Sequence, residues 1–430
     1  MAIGRTLALV LWPLLAIAGE ERPAQTFTVD STLDEPDVDT SDGACRSASG
    51  VCTLRAAVMQ ANVLTGPSVI INVPAGTYTI TQPVDGGNLG SGGSLYLGPA
   101  LDGLTPILIL GESTATTIVD GGQIDRVFTV AAARTATFDN LTVRNGYVGT
   151  NVGGGIFNKG TLTLDHVALI GNYALGGGGV YSDLDSTLHV FSSSIMNNTA
   201  DLGGGLFTGG PCDITGSTIA SNAGSTGGGV DLAGPSILLN TTIAGNSASE
   251  NGGGLVVSNN VFVNIYNSTI AFNVADSDGN NDGSGGGVYL DTNGLNIYNT
   301  LIAGNYHINP AFADDCDGPL MTHAYNRIGN TSQCSITQVS GAYALLNSLA
   351  DLSPLQNNGG PTQTIALLAG SNAINGAIGG CFDPNSVPIT MDQRGFPRNI
   401  GLCDIGAYEF GSIDPNDKIF YNGFQSLTGP

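Results

Sequence analysis

Through the middle of the chain, apolar and polar residues alternate in short runs, and the runs return at a fixed interval. The stretch from Gly252 to Asn273, GGGLVVSNNVFVNIYNSTIAFN, is one such interval. Leu255 and Val257 flank Val256. Val261, Val263 and Ile265 alternate with Phe262, Asn264 and Tyr266, and Ile270 stands just before the closing Asn273. Alternation at every second residue predicts short strands with one face buried. No window sustains the roughly 3.6-residue period of an amphipathic helix, which excludes helical solenoids. The Leu framework of a leucine-rich repeat is also missing.

Two markers keep the same interval. Blocks of three Gly begin at Gly153, Gly177, Gly203, Gly227, Gly252 and Gly285, in steps of 24, 26, 24, 25 and 33 residues. An Asn follows each β-rich run, at Asn145, Asn172, Asn198, Asn222, Asn246, Asn273 and Asn305, in steps of 27, 26, 24, 24, 27 and 32. Such a period is the signature of stacked units that bury a continuous core. Three short strands per unit predict an all-β, single-stranded parallel β-helix of about ten coils over residues 67–310, each rising about 4.8 Å. Gly permits positive φ and close approach of successive coils. Asn tolerates a left-handed turn, and stacked amides can bond from coil to coil. A sugar-binding track is the functional alternative for the Asn row; a turn ladder accounts for it without a ligand. The 33-residue step places an inserted loop at Asp276–Gly287.

A stack of strands leaves two open edges that need cover. Residues Thr53–Asn62, TLRAAVMQAN, predict a helix, with Thr53 as its cap and Leu54, Ala57, Val58 and Ala61 as its apolar face. It precedes the first repeat strand, Ser68–Val73, so residues 19–66 read as an N-terminal cap. Residues 311–410 lose the interval, hold four of the seven cysteines and read as a C-terminal cap, with 411–430 as a tail.

Composition narrows the partners. Gly makes up 64 of the 430 residues without a Gly-X-Y period, so collagen is excluded. Only 11% of residues are charged against 41% hydrophobic, which is the balance of a folding chain. Twelve Lys and Arg oppose 35 Asp and Glu, a net charge of −23 that repels nucleic acid and anionic membrane surfaces. Arg5 precedes the apolar run Thr6–Ala18, which ends in Ala16-Ile17-Ala18. This predicts a secretory signal peptide over residues 1–18, too short and too broken by Pro13 to span a bilayer, and no later segment is apolar for long enough to do so. Six cysteines fall into local pairs, Cys45 with Cys52, Cys316 with Cys334 and Cys381 with Cys403, and an exported protein would oxidise them. Pairing by proximity is an expectation. Cys212, alone inside a repeat, reads as a buried inert thiol.

Cys52-Thr53-Leu54-Arg55-Ala56-Ala57 resembles the CSLREA motif of a family of bacterial exported proteins, with Thr53 for Ser and Ala56 for Glu. The preceding FTVDSTLDEPDVDTSDGAC fits that family's lead-in. LSPLQNNGGPTQTIALLAGSNAI and DQRGFPRNIGLCDIGAYEF resemble the choice-of-anchor Q domain, and Asp315-Cys316-Asp317-Gly318 through Asn326 to Cys334 fits it as well. The resemblance frames the chain from Phe27 to Phe410. It implies a secreted, right-handed β-helix of the pectin-lyase-like type, and it supplies no reaction. The repeats are also similar to those of chlamydial polymorphic outer-membrane proteins. Those end in a membrane barrel, whose alternating segments of about ten residues are not seen after residue 310.

The fold hosts polysaccharide lyases and hydrolases as well as non-catalytic proteins. Lyase chemistry needs a strong base, often Arg, and carboxylate-held calcium. Between Arg144 and Arg327 the only cation is Lys159. Hydrolysis needs two nearby carboxylates. Asp314 and Asp315 are the best pair, although adjacent Asp residues are usually turn formers. His166, His189, His307 and His323 fall at unrelated places in their repeats. Asp276, Asp278 and Asp282 share the Gly-rich insertion, which suits calcium or a plain exposed loop. Two residues after each last Gly come Phe157, Tyr181, Phe207, Asp231, Val256 and Tyr289. In register, Phe157, Tyr181, Phe207 and Tyr289 would form an outward aromatic stripe able to bind a glycan or a protein partner, or to shield Gly backbone. The combined expectation is an exported, monomeric β-helix that recognises a surface glycan or protein without catalysis. A polysaccharide-active enzyme and a purely structural envelope protein are the alternatives.

Overall fold

The structure is a computed structural model that describes residues 24–84, 90–292, 294–309, 311–348, 350–399 and 401–415. The expected export segment at residues 1–18 and most of the expected tail lie outside the described residues.

One coil is built from the strands Ile156–Asn158, Thr161–Asp165 and Ala168–Ile170, and the next from Val180–Ser182, Thr187–Phe191 and Ser194–Met196. Pairing between coils is parallel and in register, with Ile156 opposite Val180, Leu162 opposite Leu188 and Leu169 opposite Ile195. The described residues form a twenty-stranded sheet carrying the first two strands of most coils, an eleven-stranded sheet carrying the third, and a five-stranded sheet of two-residue strands. The chain is a parallel β-helix. The period-two pattern sends Ile156, Val180, Leu206, Val230, Leu255 and Val288 inward as one fully buried row. Burial of each such side chain is worth about 1.5–3 kcal/mol. Cys212 occupies the inward row between Leu188 and Ser236 as a free buried thiol, whose pKa burial pushes up.

The glycine blocks do two jobs. Gly227, the first of its block, has φ of +65°, and a Cβ on Gly228, the second, would run into the Ser247 carbonyl of the next coil. The asparagine row is a buried ladder. Asn172, Asn198, Asn222, Asn246, Asn273 and Asn305 each accept on the side-chain oxygen from the backbone N–H one coil before. From Asn172 to Asn273 the side-chain amide also donates to the next Oδ1. Asn145 lies one residue out of this row. Its side chain bonds Asp120, and the rung is the Gly146 N–H, which donates to Asn172.

The stack starts before and ends after the marker-defined 67–310. Gln25–Thr28 already pairs in parallel with Val69–Val73, and coiling continues through Cys316–His323, Tyr325–Ile328, Gln333–Gln338 and Tyr343–Leu346. The helix, Leu54–Val63, is capped by the Thr53 side chain and packs against the strands Val69–Val73 and Leu95–Leu97. Arg55, fully buried, is neutralised by Asp34 at 2.6 Å and donates to the Gly90 and Gly93 carbonyls at 2.7 Å each. All three expected disulfides form: Cys45–Cys52, Cys316–Cys334 and Cys381–Cys403. No described helix is long and apolar enough to cross a membrane.

The expected C-terminal cap divides in two. Residues up to Leu346 extend the coils, whereas the described residues of 351–410 lie along their flank. They cover the outer face of the third strands, where Thr218, Thr242 and Thr269 and then Ala220, Ala244 and Ala271 are buried although they point away from the coil interior. Gln393 bridges Thr218 and Thr242, and the Ala407 N–H donates to Thr269. Small outward side chains let this flanking segment approach closely, which is why it docks on the side.

Candidate functional site

The aromatic row is in register as expected. Phe157, Tyr181, Phe207, Asp231, Val256 and Tyr289 stand opposite one another from coil to coil. Asp231 and Val256 part Tyr289 from the other three rings. Tyr181 and Phe207 stack at 4.6 Å and 9°, and Phe157 meets Tyr181 edge-on at 5.7 Å. Arg126 and Lys159 lie 5.2 and 4.7 Å from the Phe157 centroid. Stacking along the coil axis thus spends much of the ring faces on neighbours, and the edge of Tyr181 lies over Gly176.

Asp231, only 5% exposed, is held by one bond, from Ser258 Oγ at 3.1 Å. Burial pushes its carboxyl up to about 6. The folded protein therefore holds this proton more tightly than the unfolded chain. The resulting stability is complete below the unfolded carboxyl range and is lost as pH rises through about 6. Asp231→Asn is expected to raise stability by roughly 1–3 kcal/mol at pH 8 and to change it little at pH 4. Urea denaturation at the two pH values measures this; an equal effect at both would contradict it.

A second aromatic row, not anticipated, stands on the second strands. Tyr266, Tyr298 and His323 stack at 4.4 Å per step. Beside them Asn296 donates to Asn264 at 3.0 Å and lies 3.1 Å from His323 Nε2. The signal was present as the repeated N-I-Y-N of residues 264–267 and 296–299. The flanking segment faces this row and leaves a cleft of about 410 Å³ between Tyr266, Tyr298 and Asn299 on the coil and Phe382, Asp383 and Ser386 on the loop. That loop is fixed by Asn267 Nδ2 donating to the Phe382 carbonyl, by Asn299 Nδ2 donating to the Gly380 carbonyl and by the Cys381–Cys403 disulfide. Asp383 Oδ1 takes the N–H groups of Asn385 and Val387. Burial, with Tyr298 and Asp383 nearby, pushes the Tyr266 hydroxyl up to about 12. Apolar walls with a few convergent polar groups are the usual make-up of a ligand site.

The other sequence candidates are placed differently. Asp315 ends the asparagine ladder. Its Oδ1 takes the Asn305 N–H and Nδ2, and its Oδ2 takes the Asn330 N–H at 2.7 Å. Asp314 accepts from the Gly286 N–H, and both carboxylates are at most 2% exposed. A pair sealed in the turns cannot meet a polysaccharide, so Asp314 and Asp315, the best pair the sequence offered for hydrolysis, are coil-closing residues, as adjacent turn-forming Asp residues usually are. Asp276, Asp278 and Asp282 do not converge. Fully buried Asp276 spends Oδ1 on the Asn281 N–H and Oδ2 on the Asn309 N–H, while Asp278 turns to Asn280. The calcium expectation for this loop is withdrawn for that reason. Among the described residues the cluster able to hold a metal is Asp139, Asp165 and His166. His189 pairs with Asp213 at 3.2 Å, and His307 lies 3.7 Å from Asp276.

These features define a parallel β-helix protein with a flanking C-terminal segment, itself closed by the Cys381–Cys403 disulfide, and a cleft between the two. No family model matches the chain, and no curated protein matches it. Among solved structures the chain is similar to one titled "Crystal structure of pectate lyase Pel9A", with a TM-score of 0.39 and 16% identity over 90% of this chain and 97% of that one.

Proposed function

We propose that the protein is an exported recognition module that binds neutral glycan chains in the cleft between its coils and its flanking segment, without cleaving them. The observation that carries this reading is the lining of the cleft: tyrosine and phenylalanine walls, a phenol donor, amide and hydroxyl groups, and Asp383 as its one carboxylate among the described residues. Glycoside hydrolysis uses two carboxylates across the bond, and lyase action needs a base such as Arg. Neither is among the lining residues. The net charge of −23 disfavours uronic-acid polymers and favours neutral sugars. Export is supported by the three disulfides and by the N-terminal pattern of a basic start, an apolar run and Ala-x-Ala. Kinship with exported proteins that carry CSLREA and choice-of-anchor Q motifs belongs to the same proposal.

A glycan array, read beside a reducing-sugar assay on its hits, tests the reading. Neutral oligosaccharides are expected to bind without sugar release, with at least tenfold weaker binding in Phe382→Ala and Asp383→Asn and unchanged binding in Phe207→Ala. Release of reducing ends would favour the polysaccharide-active alternative, and binding indifferent to both cleft variants would remove the cleft from the account.

A further inference from the structure

We propose that Asp139, Asp165 and His166 form a binding site for a divalent transition metal of the zinc class on the outer surface of the coils. The site lies several coils away from the cleft and does not depend on it.

The backbone builds this constellation. Asp139 and Asp165 end consecutive second strands and stand directly opposite each other in the parallel register. Their carboxylates are therefore stacked on one outward row. His166 follows Asp165 in a left-handed conformation, φ +50°, at the turn where other coils place Asn140, Ser192, Gly216 and Asn240. That turn brings the imidazole back to the carboxylates. Its Nδ1 lies 2.9 Å from Asp165 Oδ1 and 4.0 Å from Asp139 Oδ1. One ligand atom from each residue falls within 4.8 Å of the others. Zinc bonds of about 2.0–2.1 Å in a tetrahedron space their donor atoms about 3.4 Å apart. The two measured edges bracket that spacing.

A second observation points to a cation at this place. Asp139 Oδ1 itself is withdrawn from solvent and accepts no hydrogen bond, on a side chain that is 33% exposed as a whole. A desolvated carboxylate oxygen without a donor is costly, and a bound cation removes that cost. The donor set selects the class of ion. Calcium prefers six to eight oxygen ligands, whereas an imidazole with two carboxylates suits zinc and its neighbours. Three protein donors leave a fourth position for water or for a ligand. His166 also borders a cleft of about 220 Å³ with Ser113, Thr114, Ser192 and Ser194, from which such a ligand would approach.

Calorimetric titration of the full chain with zinc chloride tests the assignment. One zinc per chain is expected, with affinity at least tenfold lower in Asp139→Asn and in His166→Asn. Asn is chosen at 166 because it accepts the left-handed turn, so a thermal melt matching the parent separates lost ligation from misfolding. Asp213→Asn, which breaks the neighbouring His189 pair, is expected to leave zinc binding unchanged. Absence of stoichiometric binding, binding that survives both ligand substitutions, or displacement of zinc by equimolar calcium would each overturn the proposal.

Discussion

Asn222→Ala is expected to destabilise the protein by about 3–5 kcal/mol, far more than any neighbouring surface change. The Asn222 side chain is 1% exposed and makes bonds in both directions along the stack. Its Oδ1 accepts from the Asn198 N–H at 2.9 Å and from Asn198 Nδ2 at 3.0 Å, while its Nδ2 donates to the Ile195 carbonyl at 2.9 Å and to Asn246 Oδ1 at 3.0 Å. Alanine leaves the Asn198 N–H and the Ile195 carbonyl without these partners. An abandoned buried group costs about 1–3 kcal/mol, and the void adds to that. Asn197 supplies the control. It is exposed with φ of +57°, so Asn197→Ala pays only left-handed strain of about 1–2 kcal/mol. Urea midpoints rank the two variants, and hydrogen exchange locates the loss at the amide of Asn198. Equal costs for the two asparagines would show that the ladder does not hold the coils.

Arg398→Met is expected to cost about 3–5 kcal/mol and to release the flanking segment from the coils. The Arg398 side chain is fully buried and joins three parts of the molecule. It pairs with Glu409 at 3.3 Å, donates to the Gly406 carbonyl at 2.8 Å and reaches Asn240 on the coil at 3.0 Å. Glu409 in turn accepts the Asn399 and Asp404 N–H groups. Removing the cation strands a buried carboxylate, the case in which a broken ion pair is most damaging. Limited proteolysis is expected to cut between residues 346 and 410 much faster in the variant. Arg144→Met is the comparison, since its partner Asp120 is held by a side chain that is 38% exposed, and its loss is expected to cost under about 1 kcal/mol. If the two arginine variants melt and digest alike, the flanking segment is not fastened through Arg398.

The two regions were unequally legible for a physical reason. The ladder was readable because each rung recurs after one coil, so a periodic Asn is already a statement about its neighbours above and below. Asn145 shows the margin of that reading. It keeps the interval but stands one residue out of the row, because Asp120 offers its amide another partner. The DQRGFPRNIGLCDIGAYEF stretch was recognisable as a motif, but its work was not. Asp392 bonds Arg394 at 2.6 Å, and Arg394 lies 3.7 Å from the Tyr408 ring centroid, a clamp visible only when the segment is folded. The aromatic stripe was correctly aligned from the sequence, yet alternation cannot tell whether a ring offers its face to solvent or to the next ring. The cleft was missed because the loop that closes it comes from far along the chain: Asn267 and Phe382, which tie loop to coil, lie 115 residues apart.

Sequence alone was enough for whatever repeats from one coil to the next: the strand positions, the inward apolar rows, the need for Gly at the tight approach and the buried amide ladder. Local spacing likewise anticipated the three disulfides, since short separations leave few other partners. Only the tertiary structure decided that the C-terminal segment lies along the flank, that its loop and the tyrosine row enclose a cleft, that Asp314 and Asp315 are sealed in the turns, and that Asp139, Asp165 and His166 converge. Periodicity reports what a residue meets one coil away. It says nothing about contacts made when a distant, non-repeating segment folds back, or about which way a side chain leans once its backbone turns left-handed.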